Sequence, residues 1–349
     1  MKLAITGAAG LIGAHVTRAA IAAGHDATAV VRAAGRAEAL DGVAARVVAA
    51  DVLGPPEPLI EAFAGAEVVV HTAATFAYGG DGEALRRIAV KGTENVLDAA
   101  AEAGARRVVV TSSSVVFGYS DTETVIDESR GVADAAGQPG YVAAKIMQDR
   151  SALERAERLG LEVVLACPTM SVGGIATTLG PSNAMIVAYL ADPTHSTFPG
   201  GCNVVAARDV GRGHILLAER GESGAHYLLG SENLRWSSLH ALIGVLGGVG
   251  GPNMEIGRHA ASLAARVQEG LALVAGRASL STREEASMVG RYYWYDHGRA
   301  SALGYRPMSA VAALAEAVSW LAASPHIGRE VRARIHLSEA VLRLRRLAA

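Results

Sequence analysis

Tyr141 and Lys145 lie four residues apart in the stretch "GYVAAKIMQD", directly after Pro139 and Gly140, a natural place for a helix to begin. Residues at i and i+4 share one face of a helix. A phenol with an ordinary pKa near 10 is a poor proton carrier at neutral pH, but an ammonium on the same face stabilises its ionised form. The pair is therefore a candidate proton-transfer device. Upstream, "RVVVTSSSVVFG" (Arg107–Gly118) runs strand-forming residues into Thr111, Ser112, Ser113 and Ser114, a row of hydroxyls where a buried strand leaves the core.

A third group supplies backbone instead of side chains. "ITGAAGLIG" sets Gly7, Gly10 and Gly13 in a GxxGxxG arrangement between a strand and a helix, with Ala9, Leu11 and Ile12 among them. Such a loop turns tightly, lets its backbone approach a pyrophosphate, and offers the unpaired N–H groups of a helix start. In a dinucleotide site the second strand ends on an acid when the ribose 2′-hydroxyl is read. Here it ends "TAVVRAAGR", with Arg32 near the acid's place and Arg36 one helical turn later. Guanidinium groups suit a 2′-phosphate, so NADP(H) is favoured, with NAD(H) the alternative if both arginines are simply solvated. Asp51 and Val52 after the third strand, Thr72, Ala73 and Ala74 after the fourth, Thr111 on the fifth and Pro168 on the sixth complete the expected cofactor contacts, with Tyr141 and Lys145.

The elements that must position these residues are legible in the same pattern. Leu3–Ile5, Ala27–Val31, Arg46–Ala49, Glu67–His71, Arg107–Thr111 and Glu162–Ala166 read as strands, separated by helical stretches at Gly13–Ala23, Glu83–Ala103 and Tyr141–Leu159. Strands alternating with helices give βαβ units, so the fold class is α/β: a Rossmann-type doubly wound parallel sheet. After Pro168, Gly/Pro/Ser/Thr-rich loops and the strand-like runs Asn203–Ala206 and His226–Leu229 predict a smaller, interleaved C-terminal substrate domain. The expected division is 1–168 plus about 201–232 for the nucleotide domain, 169–200 plus 233–325 for the substrate domain, and a basic amphipathic helix over 326–349. That last helix is expected to dock on its own body or a second subunit, with a membrane surface the alternative.

Composition agrees with a globular chain. Of 349 residues 50% are hydrophobic and 19% charged, and the formal net charge of −2 offers nothing to nucleic acid. Cys167 and Cys202 make neither a disulfide framework nor metal-ligand spacing, and a reducing cytoplasm is the expected location. The apolar N-terminus is broken by Thr6 and Gly7 before a signal segment could form, and no apolar run reaches the ~18 residues of a membrane span.

Taken together, TGxxGxxG at Thr6–Gly13, the strand-end serines and YxxxK at Tyr141–Lys145 resemble the extended short-chain dehydrogenase/reductases. More narrowly, "TSSSVVFG", "LACPTMSVGG", "ARDVGRGHILLAERG" and "YDHGRASALGYRP" are similar to the dihydroflavonol 4-reductase-like branch, over nearly the whole chain to about Pro325. That branch also holds bacterial proteins named as nucleotide-sugar epimerases. The resemblance implies Tyr141 as the acid-base residue and Lys145 as the group that holds the ribose hydroxyls and lowers the tyrosine's pKa. It aligns Ser113, counted back from Phe117 and Gly118, with the serine that hydrogen-bonds the reacting oxygen. It also implies a homodimer. One departure stands out: Val90, Gly92, Thr93 and Asn95 match the branch's NVxGTxN pattern, but Ala89 replaces its first Asn.

These residues separate the chemistries open to the family. Elimination needs an acidic pair beside the strand-end hydroxyl, and Ser114, Val115 and Val116 stand there instead, which disfavours dehydration. Reduction of a ketone or aldehyde, or oxidation of the alcohol, is the first expectation. NAD-dependent nucleotide-sugar epimerisation is the second, though Arg32 argues against tightly held NAD, and Arg208 and Arg212 are the candidates for a diphosphate. A non-catalytic NADP(H)-binding sensor is the third. Phe76, Tyr78, Phe117, Tyr119, Met170 and Phe198, with Ser113, are the candidate walls of a moderately apolar substrate pocket, and no metal is expected. "RYYWYDHG" (Arg291–Gly298) reads as a packed strand or helix entry with Asp296 as the cap.

Overall fold

The computed structural model describes residues 1–33, 38–74, 82–175, 178–263, 265–266 and 283–348. Strand β1 (Lys2–Thr6), helix α1 (Leu11–Ala22) and strand β2 (Asp26–Val31) form the first βαβ unit. Strand β3 (Arg46–Ala49), helix α2 (Glu57–Phe63) and strand β4 (Val68–His71) follow. A long helical passage then runs as α3 (Gly82–Arg86), a π-helical turn at Arg87–Lys91 and α4 (Gly92–Glu102), before β5 (Arg107–Thr111), α5 (Gly140–Leu159) and β6 (Glu162–Pro168).

With β10 (His226–Leu229), these strands make a seven-stranded sheet in the order β10-β6-β5-β4-β1-β2-β3, parallel throughout. The order reverses between β1 and β4, which opens a crevice at their carboxyl ends. Side-chain alternation sorts the core onto two faces. Leu3, Ile5 and Val109 pack toward α1 and α7 (Ala207–Arg220), whereas Ala4, Val108 and Val110 pack with Leu59, Phe63, Leu97 and Ala152 of α2, α4 and α5. Each fully buried Val, Leu or Phe contributes roughly 1.5–3 kcal/mol, so this double-sided burial is what fixes the strand ends.

The second domain centres on β9 (Gly201–Ala206). β7 (Met170–Val172) and Tyr292–Tyr293 pair with it in parallel and β11 (Glu232–Arg235) antiparallel. Within 201–232, β9 joins the second sheet while β10 joins the first with α7 packed on it, and Ala300 and Tyr305 from the 233–325 stretch also pack in the first sheet's core. Entirely buried, β9 needs strand partners on both edges, which the large sheet does not offer it.

The expected terminal helix is two, Arg329–Arg334 and Glu339–Ala348, parted at Ile335–Ser338 where the backbone bonds elsewhere. His336 and Ser338 donate their N–H groups to Gly247 and Leu246 carbonyls at the end of helix α8 (Trp236–Gly247), and Val341 is fully buried against the second domain. The segment thus packs on the chain's own body. The helix after "RYYWYDHG" begins at Gly298 with His297, not Asp296, in the capping position. Arg208 and Arg212 are engaged at the domain junction, Arg208 with Glu316 at 2.9 Å and Arg212 with the buried Asp209, whose other oxygen accepts from Met308 N–H. No described helix is long and apolar enough to cross a membrane.

Candidate active site

The glycine loop is shaped by how closely three segments meet. Gly7 has φ +67°, and a Cβ there would stand 2.6 Å from the Ala73 backbone nitrogen; one on Gly13 would stand 2.2 Å from the Gly7 carbonyl oxygen and 2.6 Å from Thr72 Oγ1. Only glycine fits, because the end of β4 lies directly against the β1–α1 turn. Thr72 ties the two together by donating to the Thr6 carbonyl at 2.7 Å. Helix α1 starts after Gly10 with no side-chain cap, leaving its first N–H groups directed out of the helix end. This cradle fits a dinucleotide pyrophosphate.

Around it, Arg32 is exposed just past β2, and Arg36 lies outside the described residues. Asp51 bends its carboxylate to accept from Leu53 N–H at 3.0 Å, and Val52 is held by Asn95, which donates to its carbonyl at 2.8 Å. Ala73 is half-buried, Ala74 exposed, and Pro168 closes β6 in the core.

Alternation along β5 explains the hydroxyl row. Thr111 points to α7, where its hydroxyl meets His214 Nε2 at 2.9 Å; since His214 Nδ1 donates to the Val210 carbonyl, Nε2 is the acceptor. Ser112 points to α5 and donates to Asp149 Oδ2 at 2.6 Å. Both hydroxyls are thus engaged within the protein, and Thr111 meets Lys145 through its carbonyl instead. Ser113, past the strand and capping the tight turn Ser114–Phe117, hydrogen-bonds Tyr141. Ser114 bonds the Tyr295 hydroxyl, which also donates to the Gly118 carbonyl at 2.6 Å. The turn after Ser113 is therefore clamped by the second domain.

Helix α5 carries the rest on one face: Tyr141, Lys145, Gln148 and Asp149 are buried in its first half, Ala152 and Ala156 in its second. Lys145 Nζ donates to the Thr111 carbonyl and to Gln148 Oε1, both at 2.8 Å. Gln148 Nε2 donates to Thr93 Oγ1 at 2.8 Å, Thr93 meets His71 Nε2 at 3.0 Å, and His71 Nδ1 meets Thr6 Oγ1 at 2.8 Å. His71 is neutral, so one of its ring nitrogens donates to one threonine hydroxyl and the other accepts from the second. One polarised chain thus links Lys145 to the first residue of the glycine-loop motif.

Burial dominates the electrostatics. It pushes the Tyr141 phenol up to about 12, against the Ser113 hydrogen bond, and pulls Lys145 down to about 8. His71 falls to about 3, by burial and then by the Lys145 charge. Tyr141 accordingly holds its proton at neutral pH.

Ala89 lies in the π turn and packs with Leu85 and Ala144, an apolar contact where the resemblance places an amide. Phe117 is core: it is 2% exposed, among Val142, Ile146, Leu228 and Tyr295, because the tight turn folds it inward. Met170 receives the Cys202 thiol contact at 3.5 Å, Phe198 lies edge-on to His240, and the half-buried Tyr119 lies under the Arg291 guanidinium, 3.9 Å from its ring centre. Phe76 and Tyr78 lie outside the described residues. Sequence reasoning missed Gln148 and Asp149; their signal was spacing, three and four residues after Lys145 on the same helix face.

The model of the NAD dependent epimerase/dehydratase family matches residues 3–230. Among curated proteins, the chain is 28% identical to a putative dihydroflavonol 4-reductase of Synechocystis over 90% of this chain and 93% of that one. It is 34% identical to cinnamoyl-CoA reductase 1 of Oryza sativa subsp. japonica over 64% and 69%. Among solved structures, a nucleoside-diphosphate-sugar epimerase from Pseudomonas aeruginosa is similar with a TM-score of 0.74 at 25% identity, covering 94% of this chain and 99% of that one.

Proposed function

The chain belongs to the NAD dependent epimerase/dehydratase family, and from that footing we propose that it is an NADP(H)-dependent oxidoreductase that reduces a ketone or aldehyde, or oxidises the corresponding alcohol. The observation that carries the reading is the buried Tyr141, hydrogen-bonded to Ser113 and backed by Lys145 one helical turn behind. When bound, the nicotinamide dinucleotide supplies hydride transfer to or from carbon. Gly7, Gly10 and Gly13 with the start of α1 would hold its pyrophosphate, and Arg32 its 2′-phosphate. Ser113 orients the carbonyl oxygen, and Tyr141 delivers a proton to it as charge develops there. Lys145, one helical turn along the same buried face, would steady with its ammonium the tyrosinate left after transfer. The reductase names of the two curated relatives support this direction.

The same Ser-Tyr-Lys set would serve a nucleotide-sugar epimerase, the reading favoured by the likeness to the Pseudomonas structure. A direct measurement divides them: denature purified protein and assay released nucleotide, then titrate the untreated protein with NADPH and NADH. An empty site that binds NADPH more tightly supports the reductase; stoichiometric released NAD supports the epimerase. Tighter binding of NADH would remove Arg32 from its assigned role. Binding without turnover on any carbonyl, unaffected by Tyr141→Phe, would favour a non-catalytic sensor.

A further inference from the structure

Asp149 stands one helical turn past Lys145 and two past Tyr141 on the buried face of α5, and it is 2% exposed. Its Oδ2 accepts from the Ser112 hydroxyl at 2.6 Å and faces His226 Nε2 at 3.1 Å, while its Oδ1 is buried with no hydrogen-bond partner among the described residues. A carboxylate in this setting is costly unless a charge or donor compensates it.

The groups around it narrow what compensates it. On α5 itself stand Lys145 and Tyr141. From β4 comes His71, kept neutral by burial; from β5, the Ser112 hydroxyl and the Thr111 carbonyl; from β6, the Cys167 thiol, which burial keeps protonated. β10 brings His226, and the turn Glu128–Arg130, which precedes α5, brings Glu128, whose carboxylate accepts from the Leu228 N–H at 2.8 Å. Arg299 reaches His226 only at its carbonyl, on the exposed side. Lys145, one turn from Asp149 with its Nζ held by the Thr111 carbonyl and Gln148, is the lysine on this buried face.

We propose that Asp149 is a positioning residue for the proposed reaction, a fixed buried negative charge that keeps the Lys145 ammonium protonated and keeps the proton on Tyr141, so that the pair rests in its proton-loaded state ready for carbonyl reduction. The proposal rests on reading Tyr141 and Lys145 as the proton-transfer pair. Its electrostatic sign agrees with the positions of both groups: burial pulls Lys145 down and the Asp149 charge is first among those pushing it back, and the same charge adds to the raising of Tyr141. A merely structural Asp149 would serve Ser112 as a hydrogen-bond acceptor and nothing else.

The composition of the chain makes the test clean. The chain has three lysines, Lys2, Lys91 and Lys145, and the first two are exposed. Protein labelled with carbon-13 at lysine Cε therefore gives three titrating NMR signals, and Lys145→Met assigns the buried one. In the folded wild type Lys145 should titrate near pH 8. Asp149→Asn, which keeps an oxygen for Ser112, should move that midpoint down by about one pH unit or more, the size expected of an opposite charge at one-turn distance; Asp149→Glu should largely restore it. An unchanged midpoint in folded Asp149→Asn protein overturns the proposal. Should that variant fail to fold, Ser112→Ala removes the hydroxyl's hydrogen bond and leaves the carboxylate with its His226 contact. The midpoint then stays near the wild-type value if charge is what Asp149 supplies, and falls if hydrogen bonding is. The titration needs no substrate, so a chain with no turnover on any carbonyl would count against the reductase reading and leave this result standing.

Discussion

Tyr141 and Lys145 show how far residue type and spacing carry an inference and where they stop. Four-residue spacing on a helix makes them a candidate pair only together with the glycine pattern and the strand-end serines, and the structure gives the pair a shared buried face. What spacing could not convey is how each is held: Lys145 by a backbone carbonyl from β5 and by Gln148, and through Thr93 and His71 back to Thr6. Gln148 is on the same helix, but Thr111, Thr93, His71 and Thr6 come from β5, α4, β4 and β1, so only tertiary structure reveals them. Within that chain His71, like His214 and His240, is buried in its neutral form, with pKa values lowered to about 3, 4 and 4 from 6.5. The unfolded chain takes up these protons as pH falls through 6.5, while the folded chain does so only near 4 and below. Stability is therefore complete above pH 6.5 and is lost between 6.5 and about 4, by up to roughly 1.4 kcal/mol per pH unit for each histidine. Urea midpoints at pH 7 and pH 5 check this: the midpoint should be clearly lower at pH 5, and equal midpoints would contradict neutral burial.

At the scale of elements, the β1–α1 turn and the end of β5 carry the site. The glycine pattern was legible because close approach excludes every other side chain, and the clash distances at Gly7 and Gly13 give that exclusion a physical cause. Gly13→Ala should abolish tight dinucleotide binding, because its Cβ meets the Gly7 carbonyl and Thr72 together, and such overpacking costs about 1–3 kcal/mol even where the backbone yields. Fluorescence titration with NADPH together with a thermal melt would read both effects; wild-type affinity would mean the loop does not hold the cofactor. The serine row was legible as a strand end but not in its division of labour. Alternation sends Thr111 to α7 and Ser112 to α5, leaving Ser113 for Tyr141, and that sorting depends on which helix covers which face. Phe117 takes the core place open to each of the aromatic candidates, because a turn can fold a residue at a strand's carboxyl end back inward.

For the whole molecule, the alternation of strands and helices predicted the parallel sheet, but not that β9 would leave it, since a fully buried strand reads alike in either sheet. The basic C-terminal segment is a component of the second domain. Gly248, at φ +65°, admits the His336 carbonyl to within 1.9 Å of where a Cβ would stand, and Val331, Ile335, Leu337, Val341 and Leu344 pack on the domain's core. Deleting residues 329–349 should therefore lower Tm by several degrees and expose apolar surface to a hydrophobic dye; an unchanged Tm with loss of vesicle binding would mean the segment serves a membrane instead. The central claim, that this molecule transfers hydride with Tyr141 as its proton donor, is tested most directly by following NADPH absorbance with a panel of ketones and aldehydes. Wild-type protein should consume NADPH with at least one of them, and Tyr141→Phe should bind NADPH normally but turn over about 10²–10⁴-fold more slowly. Equal rates in the two proteins would contradict it.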